Sequence, residues 1–313
     1  MKIGKVPQTV IKRVVLKNVK ENMKENLLCV QVTKYGNDKE LCTYVVYEAA
    51  NELLSRGIAP RCMQLTILLP PYAYESRLKA MSEAAAEVAK TCHIKISEIH
   101  AEVMPHISAG IVTAAMQGKE LEELSGLRGP NDDARNDIVL AGTVGLEGSI
   151  RILKEKEEEL RERFIPAFLD GFARKQKELY REELWEILKG ISDVNVTQIT
   201  DGGILAALWK ITKECEWGMD VDLKKMSICQ ETVEICEHFR LNPYQLASSG
   251  SFLILTKDGE GLQAKLKEAG IRASVIGQRK AGCDKIIRNG EEMRYLDRPA
   301  PDEFLKLFWR EGE

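Results

Sequence analysis

Apolar positions along the chain follow two periods. Short runs rich in branched residues, 27–33 (LLCVQVT), 62–69 (CMQLTILL), 109–115 (AGIVTAA) and 137–141 (DIVLA), have the length and composition of strands. Between them Leu41, Val45, Ala49 and Leu53 recur every four residues, and Leu78, Met81, Ala85, Val88 and Cys92 alternate threes and fours. Both patterns predict amphipathic helices. Later in the chain VNVTQI (194–199), SFLILT (251–256) and IRASVIG (271–277) read as strands, and 203–213, 230–240 and 259–269 as helices. A stretch rich in Gly, Asn and Asp (126–137) has loop chemistry. From Ser149 to about Gly190 the chain is charged and helical, with Glu157/Arg161 and Glu159/Arg163 paired i,i+4 in the favourable order. Its KEKEEELRER run reads as a solvated helix face rather than a partner-binding surface. Strands and helices alternate on both sides of this stretch. That predicts an α/β (α+β) chain of two domains, 1–155 and 156–313, joined near 150–160.

Composition narrows the class. A chain of 313 residues is long enough for about two domains. Apolar residues at 44% and charged residues at 30% exclude a wholly disordered, collagen-like or membrane-spanning chain. The longest apolar run, Leu65–Leu69, stops at Pro70-Pro71, far short of a span. A net charge of −3 gives no overall attraction to nucleic acid or to an anionic membrane. The opening MKIGKVPQTVIKRVV has no signal-peptide pattern, so a cytoplasmic protein is expected. Eight cysteines are scattered without a C-x-x-C pair, which fits buried thiols in a reducing compartment and neither a zinc ribbon nor a disulfide framework. Cys229 and Cys236 share one face of a predicted helix, where burial is expected.

Two loops carry candidate chemistry. In IVLAGTVGLEGSI (138–150) an apolar strand leads through Gly142, Gly145 and Gly148 to a helix expected to begin at Ser149. Glycines there allow close backbone approach, and free N–H groups at a helix start favour an anion such as phosphate. The spacing is neither a Walker loop nor a dinucleotide fingerprint, and a tight turn with a Ser cap explains the same residues. In QITDGGIL (198–205), Asp201 sits before Gly202 and Gly203, placed either to coordinate a cation or to cap the next helix. Glu48 and Glu52, with Asn51 between them, share a helix face. His93, His100 and His106 lie near Glu98 and Glu102, but their spacings match no zinc motif. A metal-dependent hydrolase is one reading of that group, and polar surface histidines are the plainer one. No Ser/His/Asp or Cys/His arrangement can be assembled.

In order, these pieces resemble the aminoimidazole ribonucleotide (AIR) synthase-like, or PurM-like, superfamily, and within it the HypE-like branch of hydrogenase-maturation factors. KIGKVP resembles the start of that branch. ANELLSRGIAP (50–60) is similar to its "ANDLAATGAxP", with the acidic position held by Glu52, and MQLTILLP (63–70) to the following strand. HAEVMP (100–105) resembles "HTEVTP", DIVLAGTVGLEGSIRIL (137–153) "DIILTKWAGLEGTAIL", and VTQITDGGILAAL (196–208) "HDPTEGGVxxAL". LNPYQLASSGSFLIL, GIRASVIGQ and RPAPDEFLKLF continue the pattern.

The resemblance implies a two-domain PurM-like fold whose N-terminal domain forms an intersubunit β-barrel in a homodimer, with ATP in the cleft. It implies binding of ATP or another phosphorylated small molecule, with ATP-dependent activation of an amide- or carbamoyl-type oxygen. A maturation protein is an implied partner. Asn51, Glu52, His100, Glu102 and Asp201 are thereby placed around the cleft, Glu52 and Asp201 as holders of Mg²⁺ and His100 or Glu102 against substrate. Gly142, Gly145, Glu147, Gly148, Gly202 and Gly203 are placed against the phosphates.

The chain also departs from the family. NVKENMKENLL stands where a "GxGEDAA" cluster is expected, and Lys34 stands where "TTDP" has a metal-binding Asp. Glu98, Ile99 and Ala101 replace the glycines and the Thr around the family's His. The sequence carries no Pro-Arg-Ile-Cys and its last cysteine is Cys283, so the thiocarbamoyl chemistry of HypE is not expected in its known form. A lysine for a carboxylate changes local charge by two, which neutralises phosphate but opposes Mg²⁺. The alternative is a non-catalytic paralogue acting as a dimeric interaction or regulatory module.

Overall fold

The computed structural model describes Val6 and residues 10–15, 29–127, 137–191, 194–214 and 217–308. The NVKENMKENLL segment, most of the 126–137 loop, and the last five residues lie outside the described residues.

The first layer pair is β1 (Cys29–Gly36), α1 (Leu41–Ser55), β2 (Ile58–Leu69), α2 (Glu75–Thr91), β3 (Lys95–Val103) and β4 (Gly110–Glu120). The strands form one sheet in the order β1-β4-β2-β3, antiparallel except for β2 with β3. Strand alternation sends Val30, Val32, Met63, Leu65, Ile67, Val112, Ala114 and Met116 to one face, where they pack on both helices. α2 has the expected amphipathic pattern, burying Met81, Ala85 and Val88. α1 is buried on nearly every side, because the sheet covers one face and the rest of the chain another. α1 and α2 both lie on the face of Val32 and Leu65. Across the opposite face run Thr33, Thr113, Thr66 and His100 in one row, with Thr33 Oγ1 and Thr113 Oγ1 2.9 Å apart.

The second layer pair is built on seven strands. Its elements are β5 (Asp137–Ala141), α3 (Leu146–Glu155), α4 (Glu157–Arg163), α5 (Pro166–Ala173), α6 (Glu182–Lys189), β6 (Asn195–Gln198) and α7 (Gly203–Glu214). They continue with β7 (Gly218–Asp222), α8 (Gln230–Phe239), β8 (Phe252–Thr256), α9 (Gly259–Glu268), β9 (Ala273–Lys280), β10 (Lys285–Asn289) and β11 (Glu292–Tyr295). The strand order is β11-β10-β7-β9-β5-β8-β6. β8 is buried along its whole length and sits between β5 and β6. Such a strand reads in sequence as an unbroken apolar run, and SFLILT does.

The charged 150–190 stretch divides into α3, α4, α5, a 3-10 turn at Arg174–Leu179, and α6. Pro166 opens α5 at its first position, where its missing N–H costs no hydrogen bond. β5 joins the second sheet, whereas Ile150, Ile152 and Leu153 of α3 pack into the core of the first. The segment 137–155 is therefore shared between the two layer pairs. Among the described residues no helix is long and apolar enough to cross a membrane.

Candidate functional site

At the seam between the two layer pairs lies a buried ionic cluster around Lys34. Lys34 occupies an inward position of β1, beyond Val30 and Val32, so its side chain enters the interior with only 1% of its surface exposed. Three carboxylates from three separate elements converge on its ammonium: Glu48 of α1 at 2.7 Å, Glu147 of α3 at 3.1 Å, and Asp201 of the β6–α7 turn at 2.9 Å. Glu147 also lies 3.4 Å from Arg151 Nη1, one turn along α3. The Ser249 hydroxyl donates to Glu48 Oε2 at 2.6 Å and the Ser249 N–H to Glu147 Oε2. The Arg151 guanidinium donates to the Tyr35 carbonyl and covers the Phe304 ring at 3.9 Å.

Ionisation follows from these contacts. Burial acts to lower the pKa of Lys34, but the charges of Asp201, Glu147 and Glu48 outweigh it and hold the ammonium well above the ordinary lysine range. Burial acts to raise that of Glu147, and the Lys34 and Arg151 charges reverse it, so Glu147 lies below the usual carboxylate range. Asp302 differs. Its oxygens accept from Gly202 N at 2.7 Å and Phe304 N at 2.9 Å, yet burial, reinforced by the Asp201 charge, pushes its carboxyl up to about 7.

Asp201 joins Lys34 directly, as a ligand of an ammonium, and the neighbouring N–H of Gly202 is capped by Asp302 instead. Of the paired carboxylates on α1, Glu48 faces the cluster and Glu52 binds Arg56 at 2.5 Å. Asn51 is buried and donates to the Leu179 carbonyl at 2.8 Å, while its Oδ1 finds no partner among the described residues, as does Oε1 of Gln198. His100 and Glu102 lie 3.5 Å from each other on exposed β3. β1 and β3 are opposite edges of the four-stranded sheet, about 14 Å apart at normal strand spacing, so one chain does not bring His100 or Glu102 to Lys34. Among the described residues no group of three His, Cys, Asp or Glu is arranged to hold a metal, the histidines at 93, 100 and 106 included.

The glycine loop is a correction to the sequence reading. The helix starts at Leu146, with Gly145 in a left-handed conformation at its N-cap, and Ser149 bonds back to the Gly145 carbonyl within the helix. Five N–H groups of the loop expected to cradle phosphate are already donated: Gly142 to the Arg272 carbonyl, Thr143 to Ser251 Oγ, Val144 to the Ser227 carbonyl, Gly145 to Ser248 Oγ and Gly148 to the Ala247 carbonyl. The glycines serve close packing. A Cβ on Gly148 would lie 2.4 Å from Leu246, and one on Gly203, at φ +66°, would lie 2.5 Å from the Tyr244 carbonyl oxygen.

Two clefts flank these turns. One, of about 10 Å³, is lined by Gly142, Thr143, Glu178, Arg181, Ser251 and Arg272. The other, of about 60 Å³, lies beside Gly202, Asn242, Gln245, Arg294 and Arg298. Ordinary small-molecule sites hold roughly 300–1,000 Å³, so neither takes a nucleotide without further walls. The donor set thus does not fit a cage of acidic side chains around Mg²⁺, because an ammonium stands among the carboxylates.

Sequence reasoning singled out Lys34, Asp201, Glu147 and the Glu48/Glu52 pair. Arg151, Ser249 and Asp302 were missed. Arg151 is readable only as the i+4 partner of Glu147, and Asp302 as a plain helix cap. Nothing in RPAPDEF signals that the segment returns to Gly202.

Residues 136–288 match the family model described as AIR synthase related protein, C-terminal domain. None of the curated proteins matches the chain by sequence. Among solved structures, Escherichia coli HypE, a hydrogenase maturation protein, is 18% identical with a TM-score of 0.69, covering 94% of this chain and 99% of its own. A structure of the hydrogenase maturation protein HypE in complex with ATP is 17% identical with a TM-score of 0.65, covering 97% and 98%. Thiamine monophosphate kinase from Aquifex aeolicus is 13% identical with a TM-score of 0.62, covering 90% and 96%.

Proposed function

We infer that this chain, which has a two-domain PurM-like fold and an AIR synthase-related C-terminal domain, binds ATP or another phosphorylated small molecule at the seam between its two sheets. The observation that carries this reading is the convergence there of Glu48, Glu147 and Asp201 from three separate elements, in a fold that elsewhere has been solved with ATP. Asp201 retains a third of its side-chain surface in solvent and marks the open side of the cluster. Bound ATP would supply a transferable phosphoryl group. The residues here would orient the ligand and fix charge: Lys34 and Arg151 hold the carboxylates in place, and Asn51 offers an acceptor that has no partner among the described residues. Activation of an amide- or carbamoyl-type oxygen is the reaction class that goes with this reading.

Because each cleft in one chain is small, a homodimer supplies the further walls. His100 and Glu102, on the exposed strand β3, then belong to the dimer contact or to the neighbouring subunit's site.

The test is titration calorimetry with ATP and ADP, run in EDTA and in Mg²⁺. Saturable binding near one nucleotide per chain is expected, and no heat with any nucleotide at millimolar concentration refutes the reading. A second reading, a dimeric interaction or regulatory module without catalysis, is favoured by the glycine-loop N–H groups that are already bonded within the chain. It predicts a dimer that takes no nucleotide.

A further inference from the structure

We propose that the Lys34 ammonium is the resident cation of the seam cluster, standing in for a bound ion among Glu48, Glu147 and Asp201, so that no divalent cation binds at the seam while Lys34 is there.

An ammonium has three donors and no acceptor. Lys34 meets three carboxylates, at 2.7, 3.1 and 2.9 Å, and these come from α1, α3 and the β6–α7 turn. Its hydrogen-bonding capacity is matched by that set. The carboxylates are also held from behind, Glu48 and Glu147 by Ser249 and Glu147 by Arg151, so the oxygens are fixed around the cation rather than gathered by it alone.

Charge points the same way. Lys34 and Arg151 against Glu48, Glu147 and Asp201 leave one net negative charge when Asp302 is protonated. A divalent ion entering beside Lys34 would face a buried ammonium at close range. Without Lys34 the same carboxylates would be short of two positive charges, the charge of one hard divalent ion, and carboxylate oxygens are what such ions take. A side chain tethered to β1 is always present at the site, whereas a dissolved metal competes only at its free concentration.

The test uses divalent cations alone, without nucleotide, so its result is separate from that of the nucleotide titrations. Wild-type protein and Lys34→Ala are melted in EDTA and in millimolar Mg²⁺ or Ca²⁺, and Mn²⁺ binding is counted by electron paramagnetic resonance. The wild type is expected to melt identically in EDTA and in metal and to leave Mn²⁺ free. Lys34→Ala is expected to melt lower in EDTA, to recover on adding metal, and to bind about one Mn²⁺ per chain. Lys34→Gln, which keeps the length and loses the charge, is read in the same way should the alanine variant fail to fold. Stoichiometric Mn²⁺ binding by the wild type overturns the proposal, and so does a folded Lys34 variant indifferent to metal. If neither variant folds, the wild-type count alone decides: free Mn²⁺ supports the proposal and bound Mn²⁺ ends it.

Discussion

Asp302 and Lys34 are two ionisable side chains at one site with opposite solutions to burial. Lys34 has three opposite charges within hydrogen-bond reach and stays ionised. Asp302 accepts only backbone N–H groups, lies beside another carboxylate, and is pushed up to about 7, while Asp38 is pushed up to about 6, chiefly by burial. A carboxyl whose folded pKa is raised binds its proton more tightly folded than unfolded. Its contribution is therefore fully present below the ordinary carboxylate range and is lost as pH rises through the folded value. The melting temperature should accordingly fall between about pH 5 and 8. Asp302→Asn, which cannot ionise, should flatten that slope, while starting lower at pH 5 because one of the two backbone bonds is weakened. Thermal melts of both proteins across this range check it, and parallel slopes would remove Asp302 as the cause. Lys34 was readable in the sequence as a residue out of pattern. Its three partners were not, since residues 34, 48, 147 and 201 are joined by no local spacing.

At the scale of elements, the glycine turns show why a motif and its use can separate. The sequence places Gly142, Gly145, Gly148, Gly202 and Gly203 at strand-to-helix turns, and the structure puts turns at Gly142–Gly145 and at Gly202, with Gly148 in the first turn of α3 and Gly203 opening α7. Whether a turn's N–H groups face a ligand depends on what else packs against it. Here the 246–251 segment does, through Ser248, Ser251 and the Ala247 carbonyl. Gly203→Ala, which combines a positive φ with a Cβ driven into backbone atoms of Tyr244 and Leu246, should destabilise the protein by about 2–4 kcal/mol in urea unfolding. A loss under about 0.5 kcal/mol would show that the β6–α7 turn can shift away. The strands at 62–69, 137–141 and 251–256 were legible because burial on both faces or one leaves a clear apolar period. β3 was not, since KISEIHAEV is exposed along almost its whole length and has no buried face to pattern it. β10 and β11 form an antiparallel pair at the sheet edge, mostly exposed, and escaped for the same reason.

For the whole molecule, α1 and α2 cover one face of the four-stranded sheet, and its other face presents Thr33, Thr113, Thr66 and His100 beside partly buried Ile111 and Leu68. The exposed edge strand β3 adds Glu98 and Glu102 to that face, in register with Gln64 and Leu68. Among the described residues the outer edge of β3 is unpaired, which makes it a pairing surface, and the homodimer proposed above would use it and the face beside it. Light scattering should give twice the chain mass, and Thr113→Arg, a large cation in the middle of that face, should give the chain mass with unchanged circular dichroism. A wild type that stays monomeric at high concentration would refute the dimer. By itself the sequence determined the α/β class, most strands and helices and the order of motifs along the chain, because these depend on local periodicity and turn chemistry. Only the tertiary structure decided that Lys34, rather than an open set of carboxylates, stands at the seam, that Glu48 and not Glu52 faces it, and that Asp302 caps Gly202. Each of those depends on which separate elements meet, and a contact between two elements leaves no periodic trace in either.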